Sequence, residues 1–117
     1  EVKVDGAIIV STPQDLALLD VKRGIQMFER TGVKILGLIN NMSYFEGDDG
    51  KEYKIFGEHG VENTAKEYNK DYLGEIPLNK DLRVSADKGE PLVYSQPEHK
   101  ISLIFKKISE SIYEKLV

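Results

Sequence analysis

The chain contains no cysteine. That excludes disulfides, thiolate metal ligands and a catalytic thiol from these residues. Its two histidines, His59 and His99, stand too far apart in sequence for metal-ligand spacing. No apolar run approaches the ~20 residues that a membrane-spanning helix needs, and no signal-peptide pattern is visible. A glycine-rich phosphate loop closing in Gly-Lys-Ser or Gly-Lys-Thr does not occur. Excess positive charge is missing too. The net charge is −4 and the pI near 5.2, which argues against a general nucleic-acid or anionic-membrane surface.

What is present suits a folded core. Of 117 residues, 40% are hydrophobic and 31% charged, a balance too apolar for a disordered chain. The length fits one domain or part of one, residues 1–117 with no linker. The expectation is a soluble, cytoplasmic α/β domain. The opening on Glu1, without methionine, suggests a fragment.

The most informative stretch is Lys34 to Ser43. Ile35, Leu36, Leu38 and Ile39 would point to both sides of a strand, as in a parallel strand buried on both faces. Asn40 and Asn41 follow, where the strand is expected to leave the sheet. Before it, Ala7–Val10 reads as a short strand ending at Ser11-Thr12. Thr12, Pro13 and Asp15 then read as N-cap, first helical residue and capping-box acid. The helix would run to about Arg30, with a stripe of Leu18, Val21, Ile25 and Phe28 and Gly32 as its stop. Gly24 would let another element approach closely.

Ser43–Gly57 reads as a small hairpin around Asp49-Gly50. Its acids Glu46, Asp48 and Asp49 lack the spacing of a calcium loop and read as a solvated turn. A helix is expected around Glu58–Asn69 with Val61, Ala65 and Tyr68 on one face. A third strand, Tyr72–Ile76, would end at Pro77. Asp81–Lys88 would be helical and closed by Gly89. Ser95 and Glu98 would cap a last helix carrying Ile101, Phe105, Ile108, Ile112 and Leu116. Strands alternating with helices predict a parallel sheet with helices on both faces. Three strands leave a hydrophobic edge, which again suggests that strands are missing before Glu1.

All three strand ends would share one edge of such a sheet, the edge where open α/β folds bind ligands. Each turns polar there: Ser11 to Gln14, Asn40 to Ser43, and Pro77 to Asn79. An asparagine amide offers a donor and an acceptor that match adenine, and Pro77 and Leu78 offer an apolar surface for a flat base. From chemistry alone the commoner reading of the same asparagines is that of turn residues bonding their own backbone. Asp20, beside Lys22 and Arg23, fits a solvated helix face with weak charge pairs.

Taken as a set, the segments TPQ with an aspartate six residues on, NMSYF, IFG and GEIPL resemble the C-terminal half of the Mrp/ApbC family. These are iron–sulfur cluster carriers among the P-loop ATPases of the MinD/ParA clan. The resemblance runs from about Asp5 to the last helix and implies the C-terminal part of a P-loop NTPase fold. It implies ATP with magnesium in the intact protein, a homodimer, and apo iron–sulfur proteins as clients, with no nucleic acid or membrane. It gives Asn41 as the adenine reader, Pro77, Leu78 and Asn79 beside the base, and Gln14 and Asp20 on a helix facing nucleotide and dimer partner. Two departures stand out. The phosphate loop is absent, so this chain alone is not expected to hydrolyse ATP. Where many members place a Cys-x-x-Cys pair, this chain has Glu46-Gly47-Asp48-Asp49-Gly50, so the usual cluster site is missing. The alternatives are a MinD/ParA-type positioning ATPase and a non-catalytic binding module.

Overall fold

The structure is a computed structural model that describes residues 3–117. In chain order the elements are β1 (Ala7–Ser11), α1 (Asp15–Thr31), β2 (Ile35–Glu46), β3 (Glu52–Tyr53) and α2 (Gly60–Glu67). Then come β4 (Tyr72–Leu78), α3 (Lys80–Lys88), α4 (Leu92–Ser95) and α5 (Lys100–Leu116).

The long β2 is the centre. β1 pairs with it in parallel, Ser11 opposite Asn40, and β4 pairs with it in parallel, Asn41 opposite Ile76. The expected parallel arrangement therefore holds for these three strands. The expected hairpin adds β3, which runs antiparallel to the far end of β2, Phe45 opposite Tyr53. Ile35 through Asn40 are all buried, as a strand covered on both faces requires.

Alternate residues of β2 feed two cores. Leu38 packs with Val21 and Ile25 of α1 and Val61 and Ala65 of α2. Ile39 packs with Ile76 of β4 and Ile108 of α5, flanked by Leu82 of α3. Helices thus cover both faces. Burying each such aliphatic side chain contributes roughly 1.5–3 kcal/mol. The expected stripe on α1, and that on α2, are the ones that pack.

Several local expectations are corrected. α1 is preceded by Gln14, not Thr12, and no side chain bonds its first N–H groups. The Thr12 hydroxyl turns to Gln14 Oε1 at 3.0 Å instead. The last helix is capped not by Ser95 but by His99, whose Nδ1 accepts from Ile101 N at 3.1 Å. A Cβ on Gly24 would meet nothing within 4 Å, so no element approaches there. Leu116, expected in the packed stripe, is half exposed. Finally, Asn40 and Asn41 do not end their strand, and Pro77 does not end β4, because both strands continue past the edge.

The reason lies in β2 itself. Asn41 pairs with Ile76 and Phe45 with Leu78, so four steps along β2 match two along β4. The surplus is a bulge at Met42, Ser43 and Tyr44, with Met42 at φ 56°. Pro77, which has no N–H to give, sits at this interruption of the ladder.

Candidate functional site

The bulge turns the carboxyl edge of the sheet into a walled cavity. Asn41, Met42 and Phe45 of β2 form one side, Pro77 and Leu78 of β4 the floor, and Asn79, Leu82 and Ala86 at and within α3 the other side. Ile55, from the loop after β3, also lines it. The cavity is about 560 Å³ and its surface is mainly apolar. That size fits a small-molecule site. Asn41, Pro77, Leu78 and Asn79, singled out from the sequence, all line it.

Its polar groups are few and oriented. Asn41 Oδ1 accepts from Met42 N at 3.0 Å, which fixes the carboxamide against the bulge. Asn79 Oδ1 accepts from Leu82 N at 3.2 Å and caps α3. Each amide keeps its NH₂ and one oxygen lone pair for a ligand. Asn79 therefore serves both readings of a post-strand asparagine: it is a cap and it borders the cavity. Lys80 and Arg83 add positive charge to the wall, Arg83 already paired with Asp87 at 3.1 Å, and no carboxylate is among the lining residues. Met42 holds a left-handed backbone, unusual for a residue other than glycine, asparagine or aspartate.

Gln14 and Asp20 lie elsewhere. Gln14 lines a neighbouring hollow of about 380 Å³ with Phe56 and Glu58, and Ile55 forms a wall of both hollows. Asp20, on α1, lines with Gly24 and Phe28 a groove of about 470 Å³ between that helix and β1. Its nearest cation is Arg23 at 4.0 Å, an exposed pair of little energetic weight. Val10, Leu16, Leu19 and Met27 also leave apolar surface exposed.

Sequence reasoning missed Met42, Phe45, Ile55, Lys80 and Arg83. The available signal was the pair Phe45 and Ile55, apolar residues bracketing an otherwise polar hairpin.

On the other face of β2, Asn40, Ser43, Tyr72, His59, Glu62 and Glu75 are among the residues that surround a second cavity of about 360 Å³. Burial pushes the Tyr72 phenol above its usual range; a hydrogen bond from Asn40 opposes this, and Glu75 and Glu62 add to it. Burial likewise raises the Tyr44 phenol, helped by Glu52, Glu75 and Glu46. The hairpin acids do not form a metal site. Asp49 accepts from Lys51 N and from the Tyr53 hydroxyl at 2.6 Å. Among the described residues no three His, Cys, Asp or Glu side chains are grouped to hold a metal ion.

Comparison with known proteins decides the family. A family model described as ParA, NUBPL iron-transfer P-loop NTPase, matches residues 1–113. The chain belongs to this family. It is 44% identical over 116 residues to the iron-sulfur cluster transfer protein NUBPL of Dictyostelium discoideum, covering 98% of this chain and 36% of that protein. Among solved structures, it resembles a nucleotide-binding protein of Archaeoglobus fulgidus in complex with ADP. There the TM-score is 0.66 and the identity 38%, covering 77% of this chain and 37% of that one. It also resembles the cell division ATPase MinD of Pyrococcus furiosus, with a TM-score of 0.73 and 26% identity, covering 97% and 44%. The NUBPL-type fold is thus the P-loop NTPase architecture expected from the resemblance. The chain spans about a third of the length of the curated relatives it matches, 31% to 36% of the first three. Among the described residues no helix is long and apolar enough to cross a membrane.

Proposed function

We propose that this chain supplies the nucleoside half of an ATP site in an iron–sulfur cluster carrier, with Asn41 and Asn79 presenting amides to the base and Pro77 and Leu78 beneath it. The observation that carries this reading is one cavity uniting those four residues with apolar walls, with Lys80 and the Asp87-paired Arg83 on its rim and no carboxylate among its lining residues. A purine would stack on the Pro77–Leu78 floor against Met42 and Phe45. Lys80 and Arg83 favour a ligand with an anionic tail. The named ADP complex of the Archaeoglobus relative supports the same ligand class. Phosphate-binding groups and magnesium would come from polypeptide outside this chain, since no phosphate loop occurs in it. Residues 1–117 would then form the C-terminal half of a larger ATPase domain, and the open edge of β1 would be covered by strands of the other half.

Gln14, just before α1, and Asp20, on its exposed side, would face the nucleotide and the dimer partner of a homodimer. The clients would be apo iron–sulfur proteins, in the cytoplasm. The cluster, as cargo, would find no ligands here. There is no thiolate in the chain, and the two oxygens of Asp49 are already engaged. Thiolates would have to come from outside these residues. The test is ATP affinity of the intact protein and its Asn41→Ala variant. About tenfold weaker binding by the variant is expected; equal affinity removes Asn41 from the site. Anaerobic reconstitution tests the cargo: stoichiometric iron and sulfide held by the isolated chain would contradict the account of its ligands.

A further inference from the structure

The cavity on the α2 face of β2 has no part in the nucleotide reading, yet two polar atoms among its lining residues are left without partners. Asn40 Oδ1 and Ser43 Oγ are buried and accept or donate no hydrogen bond. Their residues are 6% and 3% exposed, and both line this cavity. An unsatisfied buried polar group is unfavourable enough that native structures seldom keep one without a ligand or water. Here two occur three residues apart on one strand, on either side of the left-handed Met42, and both residues line the same cavity.

Charge around the cavity is lopsided. Glu58, Glu62 and Glu75 contribute carboxylates, Lys54 a single ammonium. His59, also among the lining residues, stands 3.6 Å from Glu62 and 3.9 Å from Glu58. Partial burial raises the half-buried Tyr72 phenol, and Glu75 and Glu62 add to that shift. These facts select among ligand classes. An anion would meet three like charges. An apolar group would leave Asn40 and Ser43 unsatisfied. A coordinated metal lacks a grouped set of His, Cys, Asp or Glu ligands among the described residues. A primary ammonium fits: it is compact, positive, and carries three donors. Asn40 Oδ1, Ser43 Oγ and one carboxylate would supply three acceptors.

We propose that the cavity formed by Asn40, Ser43 and the carboxylates of Glu62 and Glu75 binds a primary ammonium group, from a free small amine or from Lys54 of the same chain. Lys54 lines the cavity and has no carboxylate within 4.0 Å among the described residues. It is therefore available either as occupant or as bystander.

The test is titration of the intact protein with putrescine, followed by calorimetry and by NMR. Saturable binding is expected, weakened about tenfold by Asn40→Leu and severalfold by Glu62→Gln. The second variant is isosteric and on the surface, so it reports even if the first fails to fold. Tetramethylammonium, equally charged but without N–H donors, should not compete. The variant Lys54→Met separates the sources. Tighter putrescine binding by this variant identifies Lys54 as the resident ammonium, and unchanged binding identifies a free amine. The proposal is overturned if neither the parent protein nor Lys54→Met binds putrescine saturably. It is also overturned if Glu62→Gln binds as the parent does, or if tetramethylammonium competes equally.

Discussion

Asn40 and Asn41 are neighbours in one strand and open onto opposite faces of the sheet, each into its own cavity. Strand geometry makes this unavoidable, since successive side chains alternate. What differs is the chemistry each meets. Asn41 looks onto apolar walls with Lys80 and Arg83, Asn40 onto a carboxylate-rich hollow. Substitutions at the two positions should therefore separate cleanly. Asn41→Ala is expected to weaken ADP binding by about tenfold, while Asn40→Leu leaves ADP affinity within about twofold of the parent, measured by calorimetry on the intact protein.

Gly37→Ala should be strongly destabilising. A Cβ there would lie 2.5 Å from Leu73 Cγ and 2.9 Å from the Asp71 carbonyl oxygen. The backbone oxygen cannot swing away as a side chain could, so β2 and β4 must part. Overpacking of this kind costs about 1–3 kcal/mol. Urea unfolding checks it: a lowered midpoint is expected, with the slope unchanged.

His99 caps α5 through Nδ1 and reaches Asp81 Oδ2 through Nε2 at 3.0 Å. Because Nδ1 accepts from a backbone N–H, the ring proton sits on Nε2 and points to the carboxylate. One side chain thus ties the start of α5 to α3. His99→Ala should cost about 1 kcal/mol or somewhat more, seen as a melting point lowered by a few degrees. Asn at this position should recover most of the cap and not the link to Asp81.

The far end of α5 is anchored by Lys115, which bonds Asp71 just before β4. The hydrogen bond from Lys115 and its charge hold the Asp71 carboxyl below its ordinary value of 3.8. A carboxyl held low in the folded state stabilises that state above its unfolded pKa. The contribution is lost as pH falls below about 4 and the group takes up a proton. Asp71→Asn should flatten the acid side of the stability profile and leave its shape near neutrality unaltered, as urea midpoints measured from pH 3 to pH 7 would reveal.

Much of this architecture was legible in the residues. The uninterrupted run Ile35 to Ile39 marked β2 as central, and the stripe Leu18, Val21, Ile25, Phe28 marked the face α1 buries. Those patterns are periodic and long, so tertiary contacts reinforce them. The bulge was not legible. Nothing in Met42 advertises a left-handed backbone, and Asn40-Asn41 imitates a strand exit because asparagine favours turns. The helix starts misled for a related reason. Thr12 and Ser95 have cap chemistry, but Gln14 and His99 stand at the boundaries instead. The candidate site was half visible: Asn41, Pro77, Leu78 and Asn79 stood out as expected strand ends and line the cavity although Asn41 and Pro77 lie within their strands, whereas Phe45 and Ile55 reach it only through the hairpin's fold.

The central claim is that a purine occupies the hollow between the β2 bulge, the Pro77–Leu78 floor and α3. Photolabelling of the intact protein with 2-azido-ATP, followed by peptide mapping, addresses it most directly. Label on the segments 41–45 and 77–83, suppressed by excess ADP, is the predicted result. Label that maps instead to α1 or to the β1 edge, with those two segments unmodified, would contradict it.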